Sequence, residues 1–196
     1  MSLESQFIRA FVAIELPEEI RSCLGAVQSE LLDILPRHST AWSKPHNIHL
    51  TLRFLGNVSR PQIPHLQSNL SQAVAGFGPL DLICERLGCF PDLRYPRVVW
   101  AGVHNAKERL QQLQHRVSEA TREFAGKPAE EPFVGHITLA RPKQIKRPDA
   151  ERLASFVNAA ATRTFGNWQT REILLLRSEL ASSGSTYHEL ARARLG

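Results

Sequence analysis

Residues 47–56 read NIHLTLRFLG, and residues 135–141 read GHITLAR. In each, a histidine and a threonine stand two residues apart inside an apolar frame. Side chains alternate between the two faces of a strand. His49, Thr51 and Arg53 therefore share one face of the first stretch, while Ile48, Leu50 and Leu52 share the other. In the second stretch His136 and Thr138 oppose Ile137 and Leu139. Each strand thus turns one face to a core and presents an imidazole and a hydroxyl together on the opposite face. With eight histidines and eight threonines in 196 residues, random placement gives only about 0.3 His-x-Thr triplets. Three occur. The third, His38 to Thr40, follows Pro36-Arg37 in a polar loop and lacks the apolar frame.

The elements around the two framed motifs also repeat. Phe7 to Leu16 reads as a strand, and Pro17 opens a helix that Ile20, Leu24, Val27 and Leu31 carry to about Leu35. A loop from Pro36 to Pro45 leads to the His49 strand, a helix runs from about Arg60 to Val74, and Leu80 to Cys89 is a strand. Phe90 to Pro96 connects to the second half. There the order is a strand at Val98–Val103, a helix from an Asn105 cap to about Phe124, and the His136 strand over Phe133–Ala140. A helix from Pro148 to about Ala161, a strand from Arg171 to Leu180, a turn at Ser182–Ser185 and a last strand through Tyr187 complete it. An offset of 136 − 49 = 87 residues lays one half over the other. Strand, helix, His-Thr strand, helix and strand then occur twice, a repeat of pattern rather than of sequence. The expected organisation is one bilobal domain, with lobes near residues 6–90 and 97–194 and an exchange of terminal elements between them left open. If a pseudo-two-fold axis relates the lobes, both polar faces line one cleft.

Composition bounds the alternatives. Hydrophobic residues make up 42% and charged residues 22%, enough for a buried core and too apolar for disorder. No apolar run is long enough to span a bilayer, and residues 1–10 lack a secretory layout, so the expectation is a cytoplasmic, monomeric protein away from membranes. Cys23, Cys84 and Cys89 form no Cys-x-x-Cys pair and read as reduced, mostly buried thiols. A net charge of +5 mildly favours anionic partners.

Two imidazoles, two hydroxyls and nearby arginines suit phosphodiester chemistry. One neutral histidine takes a proton from the attacking oxygen, and one protonated histidine gives a proton to the leaving alkoxide. Threonines and Arg53 or Arg141 hold the non-bridging oxygens. No cofactor or metal is called for, since neither strand has further ligands at zinc spacing.

These blocks resemble the LigT-like, RNA 2′,3′-cyclic phosphodiesterase or 2′–5′ RNA ligase family of the two-histidine phosphoesterases. FIRAFVAIELP (residues 7–17), Trp42 to Pro45 with HLTLRFLG, RVVWAGV (residues 97–103), Pro132-Phe133 with HITLAR, and the closing LRSEL (residues 176–180), Gly184 and Tyr187 carry the likeness over nearly the whole chain. The resemblance implies an α+β fold of two pseudo-symmetric lobes, each an antiparallel sheet with helices outside, facing a central cleft. It implies hydrolysis of RNA 2′,3′-cyclic phosphate ends to 2′-phosphates, with a reversible 2′–5′ joining activity, without cofactor or metal. By position, His49 is the general acid and His136 the general base, with Thr51, Thr138 and Arg141 on the phosphate. Partners implied are RNA ends, tRNA-like or oligonucleotide, or cyclic nucleotides. A non-catalytic RNA-end binding module and an enzyme for small cyclic phosphates are the alternatives. The chain departs from the family at Glu131, where an arginine is usual, and at Gly135, where a proline is usual. Glu131 puts an RNA contact in doubt, and Gly135 is expected to loosen the start of its strand.

Of the aromatic residues, Trp42, Phe54, Phe90, Trp100 and Tyr187 are candidate base-stacking platforms; Phe54 and Trp100 are expected in the core instead, and Phe90 and Tyr187 are the candidate substrate contacts. Arg53 is a further substrate contact or a salt bridge at the cleft edge. His46 reads as a loop residue, and RPKQIKR (residues 141–147) as a small basic cluster able to touch RNA.

Overall fold

The structure is a computed structural model that describes residues 6–129, 132–181 and 184–196. Glu131 and the first two residues of the expected Ser182–Ser185 turn therefore lie outside the described residues. Among the described residues, nine strands and four helices run in the order β1 (Phe7–Glu15), α1 (Glu18–Leu31), β2 (Thr40–Trp42), β3 (His49–Ser59), α2 (Ile63–Val74), β4 (Leu80–Phe90), β5 (Val98–His104), α3 (Arg109–Ala120), β6 (His136–Pro142), α4 (Arg147–Ala159), β7 (Thr164–Thr170), β8 (Glu172–Ala181) and β9 (Gly184–Arg194). All pairings are antiparallel, in the order β7-β4-β5-β6-β3-β1-β8-β9, with β2 on the outer half of β6. The fold is α+β.

The closing strand of each repeat crosses over. β4 pairs with β5, and β8 pairs with β1, so each half of the sheet contains strands from both repeats. Between the halves the ladder is thin: β3 and β6 meet through the single pair Leu50 and Ile137. The expected α+β architecture of antiparallel strands with helices is found, its two halves continuous as one curled sheet joined at its middle by that pair.

Beneath the joint, Leu50 and Ile137 are completely buried, together with the apolar stripes of the helices. α1 contributes Ile20, Leu24, Val27 and Leu31, α2 Leu66, Leu70 and Val74, and α3 Leu110, Leu113 and Val117. The spacing of three and four puts each set on one face. Burying each such leucine is worth roughly 1.5–3 kcal/mol, so the motif strands are anchored by their apolar sides. Asn105 was expected to cap α3, but the N-cap is Glu108 and a 3-10 turn over Ala106–Glu108 intervenes; the Asn105 Oδ1 still accepts from the Leu110 N–H in the first turn at 2.9 Å. β2 and β7 have no counterpart in the sequence reading: β2 is three residues long, and β7 carries Gly166 and Asn167 in its middle. Among the described residues no helix is long and apolar enough to cross a membrane. Cys84 and Cys89 are buried, with burial pushing each thiol up to about 12, whereas Cys23 is exposed.

Candidate active site

Antiparallel alternation about Leu50 and Ile137 places His49 and Thr51 on the same sheet face as His136 and Thr138. On that face a cleft of about 720 Å³ opens, lined by His49, Thr51, Thr138 and Arg141 among others. His136 stands beside this volume on the neighbouring strand, close enough for its charge to be felt at His49.

Both imidazoles are fixed in the same way. His49 Nδ1 donates to the Asn47 carbonyl at 2.7 Å, and His136 Nδ1 donates to the Val134 carbonyl at 2.8 Å. Each partner lies two residues upstream, and a carbonyl only accepts. The ring proton of the neutral form is therefore held on Nδ1, and proton exchange with a substrate falls to Nε2.

Each ring is also boxed by aromatics. Phe11 lies 4.8 Å from His49, and Tyr187 meets its face edge-on at 5.2 Å. Phe90 meets His136 edge-on at 4.9 Å, with Trp100 at 6.4 Å. Phe90 and Tyr187, singled out as substrate contacts, thus stand directly against the two histidines. Trp100 is not in the core: it lies on the cleft side of β5, opposite Gly88. A Cβ on Gly88 would come within 2.1 Å of its ring, so this glycine makes the space that the indole fills.

Burial holds the His49 pKa below its ordinary value, the charges of Arg141, His136 and Arg21 add to that, and the Asn47 carbonyl opposes it. Arg141 is exposed, and its Nη2 reaches the Thr138 hydroxyl at 3.4 Å. Among the described residues that line the cleft there is no aspartate or glutamate, while Arg9, Lys44 and Arg141 all face it. Among the described residues no group of three or more His, Cys, Asp or Glu could hold a metal ion.

Three further expectations change. Arg53 does not share the His49 face. The register of β3 against β1 slips at Leu52, between the Thr51–Ala13 and Arg53–Val12 pairs, so alternation breaks there. Arg53 turns inward, 7% exposed, and donates to the Lys127 carbonyl at 2.6 Å. Phe54 takes the cleft face instead, 54% exposed, rather than entering the core. Gly135 does not loosen its strand. Its carbonyl accepts from the Val103 N–H at 2.8 Å, and a Cβ there would come within 2.3 Å of the Val103 carbonyl oxygen. It permits a close approach to β5 that pins the strand one residue before His136.

The sequence reading missed the residues that support the site. Asn47 is one: its side-chain amide donates to the Ser185 carbonyl at 2.5 Å while its own carbonyl holds His49. Gln28 is another, bridging from α1 to the carbonyls of Ser43 and Leu139, both at 2.8 Å. It ties the segment before β3 to β6 beside Thr138. A buried polar residue on the apolar stripe of α1 was the available clue.

The chain matches the LigT like Phosphoesterase family over residues 14–100 and 102–187. It belongs to that family. It is 29% identical over 188 residues to the RNA 2′,3′-cyclic phosphodiesterase of Methanothermobacter thermautotrophicus, covering 96% of this chain and 99% of that one. With the enzyme of the same name from Archaeoglobus fulgidus it shares 31% over 183 residues, covering 93% and 98%. Escherichia coli LigT complexed with 3′-AMP superposes with a TM-score of 0.75 at 26% identity, covering 97% of this chain and 99% of that one. The LigT-like two-histidine phosphoesterase fold is thereby established for this chain.

Proposed function

We propose that this protein is an RNA 2′,3′-cyclic phosphodiesterase that opens the cyclic ester to a 2′-phosphate by two-histidine acid–base catalysis. The observation that carries the reading is the matched pair of imidazoles, each with Nδ1 tied to a carbonyl two residues upstream, beside a cleft that Arg9, Lys44 and Arg141 face. The phosphodiesterase names of the relatives support the substrate class. His136 Nε2 takes a proton from water as its oxygen attacks phosphorus. The bond from phosphorus to O3′ breaks, and His49 Nε2 gives O3′ the proton. A 2′-phosphate and a 3′-hydroxyl result. Thr51, Thr138 and Arg141 hold the non-bridging oxygens, where negative charge gathers in the transition state. When a 5′-hydroxyl replaces water, the same step with the same roles, His136 as base and His49 as acid, gives a 2′–5′ linkage and a 3′-hydroxyl; exchanged roles run that joining backward.

His49 must be protonated to act as the acid, whereas burial favours its neutral form in the open cleft. The diester anion resolves this, because a negative charge beside the ring favours imidazolium. Substrate binding therefore brings a proton to His49.

The test is product analysis on an oligonucleotide with a 2′,3′-cyclic end. A 2′-phosphate product lost in both His49→Ala and His136→Ala, and retained in EDTA, supports the reading. A 3′-phosphate product overturns the assignment of acid and base. Tight binding of a nucleotide without turnover of any cyclic phosphate overturns the enzyme in favour of a binding module.

A further inference from the structure

The catalytic face of β1 continues past the cleft in a pattern that acid–base chemistry does not use. Phe11 packs on His49, and two residues back along the same face stands Arg9, with Phe7 two residues further. Arg9 lines the cleft and is exposed, and among the described residues no ion pair or side-chain hydrogen bond engages it. Ser178, its partner in the register between β1 and β8, lines the cleft as well. On one side of Arg9 lies Phe54, 54% exposed, and on the other Phe7, 48% exposed. These are the two large hydrophobic side chains that β1 and β3 leave in solvent. An apolar ring kept exposed on a strand costs burial energy that an inward-facing ring would gain. Here two of them bracket a cation.

Alternating aromatics and cations along a groove match single-stranded nucleic acid, whose bases stack while its phosphates pair. We infer that the strand face Phe54–Arg9–Phe7 is a track for the RNA strand leading away from the cyclic end. The terminal base stacks on Phe54. The phosphate on its 5′ side meets the Arg9 guanidinium and the Ser178 hydroxyl, much as Arg141 and Thr138 stand together at the reacting phosphate. The next base lies on Phe7. Two residues of extended strand span about 7 Å, so the track advances from Phe11 to Arg9 by a step suited to successive phosphates of an extended strand. This deepens the phosphodiesterase reading and rests on it: the substrate is a polynucleotide end, and a nucleoside cyclic phosphate fills only the cleft.

The experiment uses the full chain and reads binding as well as turnover. Fluorescence anisotropy gives Kd for mono-, di- and trinucleotides ending in a 2′-phosphate, with 5′ linkage phosphates present only in the longer two. Wild type is expected to bind the dinucleotide about tenfold more tightly than the mononucleotide. Arg9→Gln should collapse that ratio toward one, with Arg9→Lys restoring part of it. Phe7→Ala should reduce only the further gain from di- to trinucleotide. The salt dependence of dinucleotide binding should lose about 0.7 of a unit of log–log slope in Arg9→Gln, the mark of one lost phosphate contact. A structural role for Arg9 would weaken all three ligands alike and leave the slope in place. Equal affinities across the series in wild type, or an unchanged ratio in Arg9→Gln, overturn the track. Absence of turnover on cyclic ends with the length ratio intact would instead overturn the catalytic reading and leave the track standing.

Discussion

The two histidines are held by the same device and surrounded differently. Around His49 the sheet folds over: Phe11, Tyr187 and the start of β9 crowd the ring, and Asn47 links its Nδ1 acceptor to Ser185. Around His136 the support comes through Gly135 against β5 and Trp100 against Gly88, with Phe90 edge-on to the ring. Symmetric wiring makes the two imidazoles interchangeable in principle. Burial favours the neutral form of His49, and an anion bound beside the ring favours its protonated form.

The largest effects should come from deleting either half of the pair. His49→Ala and His136→Ala are each expected to cost 10²–10⁴-fold in kcat on a cyclic-ended oligonucleotide, the range of a lost general acid or base. A variant retaining wild-type kcat would break the comparison outright.

Next in size is the backbone under His136. Gly135→Ala forces a methyl against the Val103 carbonyl, and overpacking of this sort costs about 1–3 kcal/mol. Urea unfolding should show a lower midpoint, with kcat falling more than Kd for a nucleotide product. A midpoint unchanged from wild type would mean that β5 and β6 separate freely there.

The charge difference sharpens through pH. The folded-state pKa of His49 is lowered, so the unfolded chain binds the proton more readily, and its contribution to stability is lost as pH falls below about 6.5. A bound anion reverses the preference. Sulfate, which does not titrate in this range, should bind more tightly as pH drops from 8 to 6, by up to tenfold per unit for each proton taken up. Isothermal titration in two buffers measures that uptake, and His49→Gln should reduce it. Uptake equal to wild type in His49→Gln would assign the coupled proton to another group.

The smallest expected effect separates the aromatic walls. Tyr187→Leu and Phe90→Leu each remove an edge-on ring contact worth about 0.5–1.5 kcal/mol. Tyr187→Leu should raise the His49 pKa by admitting water, seen as a shift in its NMR titration, whereas Phe90→Leu should leave that titration in place. Equal shifts in both would erase the distinction between the two environments.

What the sequence made legible follows from what alternation can carry. His49, Thr51, His136 and Thr138 fall where a period of two places them, because Leu50, Ile137 and Leu139 bury the opposite face. Arg53 and Phe54 were exchanged because a register slip at Leu52 is a property of two strands, invisible from one. Trp100 was assigned to the core from its size, when the decisive neighbour was Gly88 on another strand. Asn47 and Gln28 act through carbonyls distant in sequence, and Arg9 was hidden inside an apolar run whose exposed face appears only once β1 is placed between β3 and β8.

The single Leu50–Ile137 pair has a mechanical meaning. With so little ladder between the halves, the gap across which the two imidazoles must reach is gauged by the volume of the apolar side chains beneath it. Leu50 and Ile137 then behave as the spacer of a caliper, and a methyl group removed from either, remote from any proton in flight, changes how far the jaws stand apart around the phosphorus.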